Sequence, residues 1–261
     1  MLNEMMAYMH KHWVITKRWP GETATIIFHP FIGLLSIGLF ALFMSGPGGS
    51  ADALLFVMVG VISWNFYDLS QRAVTHSVAF DIWANCLKHS YTTSARTRHF
   101  IAGNALWGIM ISFFSLVTVG LVGLLAFGVN IFSGGVFLVV NMLSIFMFAL
   151  GVGMALDFLM LCKGVKWMSL IWMTTGIFMI FSGVYYPIDV LPWPAKAISL
   201  VMPPTHSIIS LRAAMGLHDA GLVMPEMLLG LALSAFFLVL GSFLYKLGVE
   251  KGKENGLITK F

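Results

Sequence analysis

Charge is scarce in this sequence. Of 261 residues only 10% are Asp, Glu, Lys or Arg, where a soluble domain carries about 25%. With 59% hydrophobic residues, the shortage excludes water as the solvent of most of the chain and points to the bilayer. Cysteine is nearly absent: Cys86 and Cys162 stand in no C-x-x-C or metal-ligand spacing, so no metal site is expected. No G-x-x-x-x-G-K-[ST] loop is present to cradle phosphates, and there is no Gly-x-Ser-x-Gly elbow or His-Glu-x-x-His pair. The chain is therefore expected to hold no cofactor and no catalytic residue. The net charge of +4 comes from dispersed basic residues rather than a basic stripe, which argues against nucleic acid. No repeat, low-complexity tract or soluble domain interrupts residues 1–261, which read as one transmembrane domain.

A membrane-spanning helix needs about 20 mainly apolar residues. Six such runs are expected, at 23–45, 53–74, 100–127, 133–160, 167–184 and 224–246. Ahead of them, residues 1–19 lack the apolar core of a signal peptide, because Lys17, Arg18 and Pro20 sit where it would lie. Leu2, Met5, Met6, Met9 and Trp13 recur at helical spacing among polar residues, which predicts an amphipathic helix lying in the membrane interface.

Lys and Arg fall unevenly on the two sets of span ends. Thirteen, from Lys11 to Lys260, lie on one side, and Lys196 and Arg212 lie on the other. The positive-inside rule then puts both termini in the cytoplasm, which requires an even number of spans. Both cysteines fall on that side, where thiols stay reduced.

Each face carries one long connection. Inside, the segment 75–99 sets Phe80, Trp83 and Leu87 on one helical face, among Asp81, Lys88, His89 and Arg96. An apolar face with a polar rim is a plausible protein contact. Outside, residues 185–221 hold Pro187, Pro192, Pro194, Pro203 and Pro204 but stay rich in Ile, Leu, Val, Met and Trp. That segment is too apolar for an aqueous loop and too broken for a span. Irregular backbone cannot face lipid, so two short re-entrant helices are expected, about 191–201 and 204–214, with Pro192 and Pro204 near their first turns.

The stretch Phe181 to Met215 resembles the signature of the type-2 ATP-binding-cassette export permeases. The matching elements are Ser182, Gly183, Tyr185, Tyr186, Pro187, Leu191, Pro192, Pro203, Pro204 and Arg212. Met202-Pro203-Pro204 stands where that family often has Asn-Pro. The resemblance implies an all-α integral membrane protein of the cytoplasmic (inner) membrane, working as a homodimer amid membrane lipids. It implies a separate ATP-binding-cassette subunit that carries ATP and Mg. The 75–99 segment would then be the coupling contact with that subunit, through Phe80, Asp81, Trp83, Leu87, Lys88, His89 and Arg96. The implied cargo is amphipathic, a lipid-linked glycan or lipid, with hydrophobic-drug efflux as the alternative.

Polar and aromatic residues inside the spans complete the candidates. Asp68 and Arg72, at i and i+4, are expected to form a structural ion pair. Asp157 is expected near Lys163 or Lys166, and His29 is expected to be a packing residue, with a place lining a pathway as the alternative. Trp64, Phe66, Tyr67, Tyr185 and Tyr186 offer aromatic faces to a substrate pathway. Gly103, Gly108, Gly120, Gly123, Gly128, Gly151 and Gly153 read as close-packing positions. A distant alternative, an intramembrane hydrolase, would need Ser182 as nucleophile and His206 as base.

Overall fold

The computed structural model describes residues 2–45, 51–84, 86–87 and 97–255. Among these all regular secondary structure is helical, with no strand. In chain order the helices are α1 (Leu2–Arg18), α2 (Pro20–Ser45), α3 (Ala51–Trp83), α4 (Thr97–Phe127), α5 (Gly135–Lys163), α6 (Ser169–Phe181), α7 (Trp193–Ser199), α8 (Pro203–Ala214) and α9 (Val223–Glu254).

Five described stretches are long and apolar enough to cross a membrane: Thr23–Phe43, Ala51–Trp83, Arg98–Phe127, Ile131–Lys163 and Ala220–Glu254. The expected span at 167–184 differs. Helix α6 has 13 residues, roughly 20 Å at 1.5 Å per residue, against a hydrocarbon core of about 30 Å. It stops because Gly183 takes a left-handed φ of +62°, a conformation that ends helices.

The distribution of polarity is that of a membrane bundle. Large apolar side chains point outward from α2, α4 and α9, including Phe43 at 79% exposure and Leu125 at 83%. Polar groups turn inward. Helix α3 runs through the middle, with Ser63, Asp68, Ser70, Gln71, Arg72, Thr75, Ser77 and Asp81 all buried. Most of these groups are satisfied internally: Ser70 Oγ donates to Ser112 Oγ at 2.8 Å, and Thr175 Oγ1 donates to Gln71 Oε1 at 2.8 Å. Bonds of this kind stand in for the water that a bilayer lacks.

Helices α5 and α9 cross at a contact that only glycine permits. A Cβ on Gly241 would lie 2.1 Å from the Gly151 carbonyl oxygen, and one on Gly151 would lie 2.4 Å from that of Phe237. The packing role expected for Gly151 holds. Gly128 is different: it has open space around it and a φ of +71°, so it serves the turn that ends α4. Asp157 also departs from expectation. It is fully buried, and neither carboxylate oxygen has a hydrogen-bond partner among the described residues, Lys163 and Lys166 included.

Candidate functional site

The C-terminal end of α3 carries the first group of predicted residues. Helix α3 runs unbroken to Trp83, so Phe80, Asp81 and Trp83 belong to its last turn rather than to a separate short helix. They do not form one exposed face with Leu87. Trp83 is 54% exposed, whereas Leu87 is buried. Lys88, His89 and Arg96 lie outside the described residues. Helix α1 packs over this end. Lys11 pairs with the buried carboxylate of Asp81, and the Trp19 ring meets Phe80 edge-on at 5.6 Å. His12 Nε2 donates to Asn104 Oδ1 at 2.8 Å, and its ring stacks on Trp107 at 5.5 Å.

Burial of the His12 ring lowers its pKa from 6.5 to about 4, outweighing the hydrogen bond to Asn104, which acts the other way. The folded state thus prefers neutral His12. Its contribution is whole above pH 6.5 and is lost progressively as the pH falls toward 4, because the unfolded state binds the proton first. A depression of this size corresponds to roughly 3 kcal/mol. The protection of α1 amides against exchange, relative to the intrinsic rate at each pH, should fall across that window, and His12→Phe should flatten the dependence. An α1 equally protected at pH 7 and pH 4.5 would contradict this account.

The other end of α3 meets the proline-rich segment. Pro187 precedes the short turn Ile188–Val190, Leu191 closes that turn, Pro192 caps α7, and Pro203 and Pro204 open α8. Each proline sits where its missing N–H leaves no helical bond unmade. Helix α8 is buried on nearly every side. A hydroxyl seam fixes it: Ser207 Oγ donates to Ser144 Oγ at 2.9 Å, Ser144 and Ser234 hydroxyls lie 3.0 Å apart, and Asn141 Nδ2 donates to Ser210 Oγ at 3.1 Å.

From α8, Arg212 reaches across to three backbone carbonyls. Its Nη1 donates to Gly183 O at 2.8 Å, its Nη2 to Val184 O at 2.7 Å and Phe56 O at 2.9 Å, and its Nε to Phe56 O at 3.1 Å. The Phe56 ring lies under the guanidinium at 3.4 Å. Carbonyls freed where α6 ends are thereby satisfied. Gly60 lets the turn come this close, since a Cβ there would sit 2.0 Å from Val184 O. Tyr186 adds a further cap, its hydroxyl donating to Ile180 O at 2.6 Å.

Between the two ends, a cavity of about 380 Å³ opens between α2, α3 and α6. His29, Asp68 and Arg72 form one end. Ile37, Val61 and Tyr185 lie toward the other, because α2 and α3 run antiparallel. Arg72 Nε donates to Asp68 Oδ1 at 2.9 Å, and Nη2 lies 2.8 Å from Oδ2. Trp172 covers the guanidinium at 4.0 Å. A second space of about 40 Å³ adjoins the first, sharing His29 and Arg72 and reaching His12 under α1.

Of the five aromatics predicted for a pathway, Trp64 and Tyr185 line the cavity. Phe66 and Tyr67 lie in the core, with the Tyr67 ring stacked on Phe148 at 5.6 Å. His29 was expected to pack but is exposed, with no hydrogen bond among the described residues. Its signal in the sequence was position: on the antiparallel neighbour of α3 it falls level with Asp68 and Arg72. Ser182 and His206 do not form a nucleophile–base pair. His206 Nδ1 meets Glu226 Oε2 at 2.6 Å and its Nε2 donates to Leu200 O at 2.9 Å, while Ser182 Oγ is buried without a partner among the described residues.

Apolar outer faces, polar groups turned inward within an apolar core and five spanning-length helices define a multi-pass membrane protein. The chain matches the ABC-2 type transporter family over residues 3–215, and it belongs to that family. It is the membrane-spanning permease component of an ABC transporter, a component that is generally not catalytic and normally works with an ATP-binding cassette subunit. No curated protein matches the chain significantly.

Proposed function

We propose that the chain is the permease subunit of an ATP-driven exporter that moves an amphipathic substrate, a lipid or lipid-linked glycan, across the cytoplasmic membrane. The observation that carries this reading is the continuity of α3. One unbroken helix of 33 residues joins the end that holds Phe80, Asp81 and Trp83 to the end that Arg212 clamps, and the cavity lies along its side. ATP and Mg act on a separate cassette subunit, which docks on the exposed Trp83 and its neighbours in the 75–99 segment. Cassette closure pushes the end of α3. A rigid helix carries the push to the Phe56 carbonyl and so to the turn at 183–184 and to α8.

In this reading both termini are cytoplasmic and two copies pair in the membrane. Helix α6 and the turn after it complete a sixth crossing, α1 lies in the inner interface, and α7 and α8 form a re-entrant pair at the outer face. The inward-facing hydroxyl seam supports the last point, because it satisfies a short helix held inside the bundle.

Trp83→Ala tests the reading. The variant should insert and fold normally, since the side chain is more than half exposed. Transport should fall at least tenfold while the cassette's ATP hydrolysis persists without being coupled to it, the loss expected when a central interface aromatic is removed. Unchanged transport per ATP hydrolysed would remove the docking assignment.

A further inference from the structure

We propose that the cavity between α2, α3 and α6 binds the phosphate headgroup of a lipid, with Arg72 and His29 as donors and the apolar wall holding the start of the lipid's chain. The role in transport rests on the exporter reading; the binding itself does not.

The donors come first. Arg72 is nine-tenths buried and lines the cavity. Nε and Nη2 are committed to Asp68, and Nη1 has no acceptor among the described residues. Asp68 has spent both oxygens on the same guanidinium, so no local carboxylate remains to occupy Nη1. His29 lines the same end, exposed and without a hydrogen bond among the described residues. Two unfilled donors beside a carboxylate already engaged call for an acceptor-rich anion, and a phosphate oxygen pair suits an arginine edge.

The rest of the cavity is mainly apolar; Ser36, Asn65 and Thr175 also line it, but Asn65 Nδ2 donates to Pro30 O and Thr175 Oγ1 to Gln71 Oε1. Ile32, Ile37, Val61 and Met179 line it away from the Asp68–Arg72 pair, so it is polar at one end and oily along its length, like an amphiphile. Its volume of about 380 Å³ falls within the ~300–1,000 Å³ of small-ligand sites. Ile32, 63% exposed, marks the mouth on the outer apolar face of α2, through which a chain can lie in the bilayer.

Two glycines keep this space open. Gly33 on α2 and Gly176 on α6 both line the cavity, and a Cβ on either would meet nothing within 4 Å. Glycines that let membrane helices approach have close neighbours, as Gly151 and Gly241 do here. A second copy of the chain laid over the mouth would bring little to the donors, since α2 and α6 hold between them one acidic residue, Glu22.

The test is native mass spectrometry of the purified full chain in detergent, titrated with dioctanoyl phosphatidic acid, dioctanoylglycerol and inorganic phosphate. The phosphatidic acid should bind saturably, at least tenfold more tightly than dioctanoylglycerol, and inorganic phosphate at equal concentration should not displace it. Arg72→Met and His29→Ala should each weaken binding tenfold or more. Gly176→Leu, which fills the space without touching the ion pair, should abolish binding in a chain that folds normally, so a folding defect in Arg72→Met does not decide the matter. Equal binding of dioctanoylglycerol, or wild-type binding by Gly176→Leu, would overturn the proposal. Full competition by inorganic phosphate would mark a soluble-anion site and overturn the lipid assignment. If phosphatidic acid fails to bind while a cassette subunit still drives transport, this proposal falls and the exporter reading stands. If binding holds but no cassette subunit is found, the reverse applies.

Discussion

Replacing Arg212 with leucine should cost the permease most of its stability. The side chain makes four hydrogen bonds to three carbonyls, those of Phe56, Gly183 and Val184. Leucine leaves all three buried without that partner, at about 1–3 kcal/mol each for a lost acceptor bond, against a total of roughly 5–15 kcal/mol for a folded domain. Arg212→Lys should be nearly as damaging, because an ammonium is a point donor and cannot span carbonyls on α3 and on the turn after α6. Thermal unfolding in detergent, followed by size-exclusion profile, should show both variants melting well below wild type, the leucine variant lowest. A leucine variant with the wild-type melting temperature would mean that the 183–184 turn is held by something other than this clamp.

Gly241→Val should separate α5 from α9. The added Cβ would meet the backbone oxygen of Gly151 at 2.1 Å, and backbone cannot rotate away as a side-chain tip can. The helices must part, which typically costs 1–3 kcal/mol or more. The hydroxyl seam joining Ser144, Ser207 and Ser234 loses its geometry in the same movement, so α8 should loosen with it. Gly176→Ala provides the opposite sign. Its Cβ meets nothing within 4 Å, and alanine favours a helix over glycine by about 1 kcal/mol. Folding yields and melting temperatures should therefore move in opposite directions for the two substitutions. A parallel response would contradict the crossing geometry.

Much of the bundle is legible in the sequence because the bilayer imposes a length rule. Runs of about 20 apolar residues locate α2, α3, α4, α5 and α9 without reference to any partner. The proline-rich segment is legible for a similar reason: Pro192 and Pro204 permit few backbone positions, and α7 and α8 begin close to where those constraints put them. What composition alone missed depends on neighbours. Helix α3 continues through residues 75–83, where it packs on neighbouring helices and Lys11 of α1 reaches Asp81; no local pattern in α3 records those neighbours. Leu87 is buried although its spacing with Phe80 and Trp83 suggested a shared outer face. The apolar run at 167–184 does not reveal that Gly183 takes a left-handed φ and ends α6 early. The Asp68–Arg72 pair could be read from i,i+4 spacing, but the cavity beside it could not, since it arises from the offset of α2 and α6 along α3. Nor does the sequence single out Gly241, the partner of Gly151 at the α5–α9 crossing.

As an ABC-2 permease, this chain should work with a separate cassette subunit. The most direct test is gentle affinity isolation of the tagged chain from its native membranes, with mass spectrometry of the companions and an ATPase assay of the complex. The isolate should contain a nucleotide-binding subunit in near-equal amount with the permease and show vanadate-sensitive ATP hydrolysis. A permease that emerges alone after cross-linking, in several detergents and without ATP hydrolysis, would contradict that expectation.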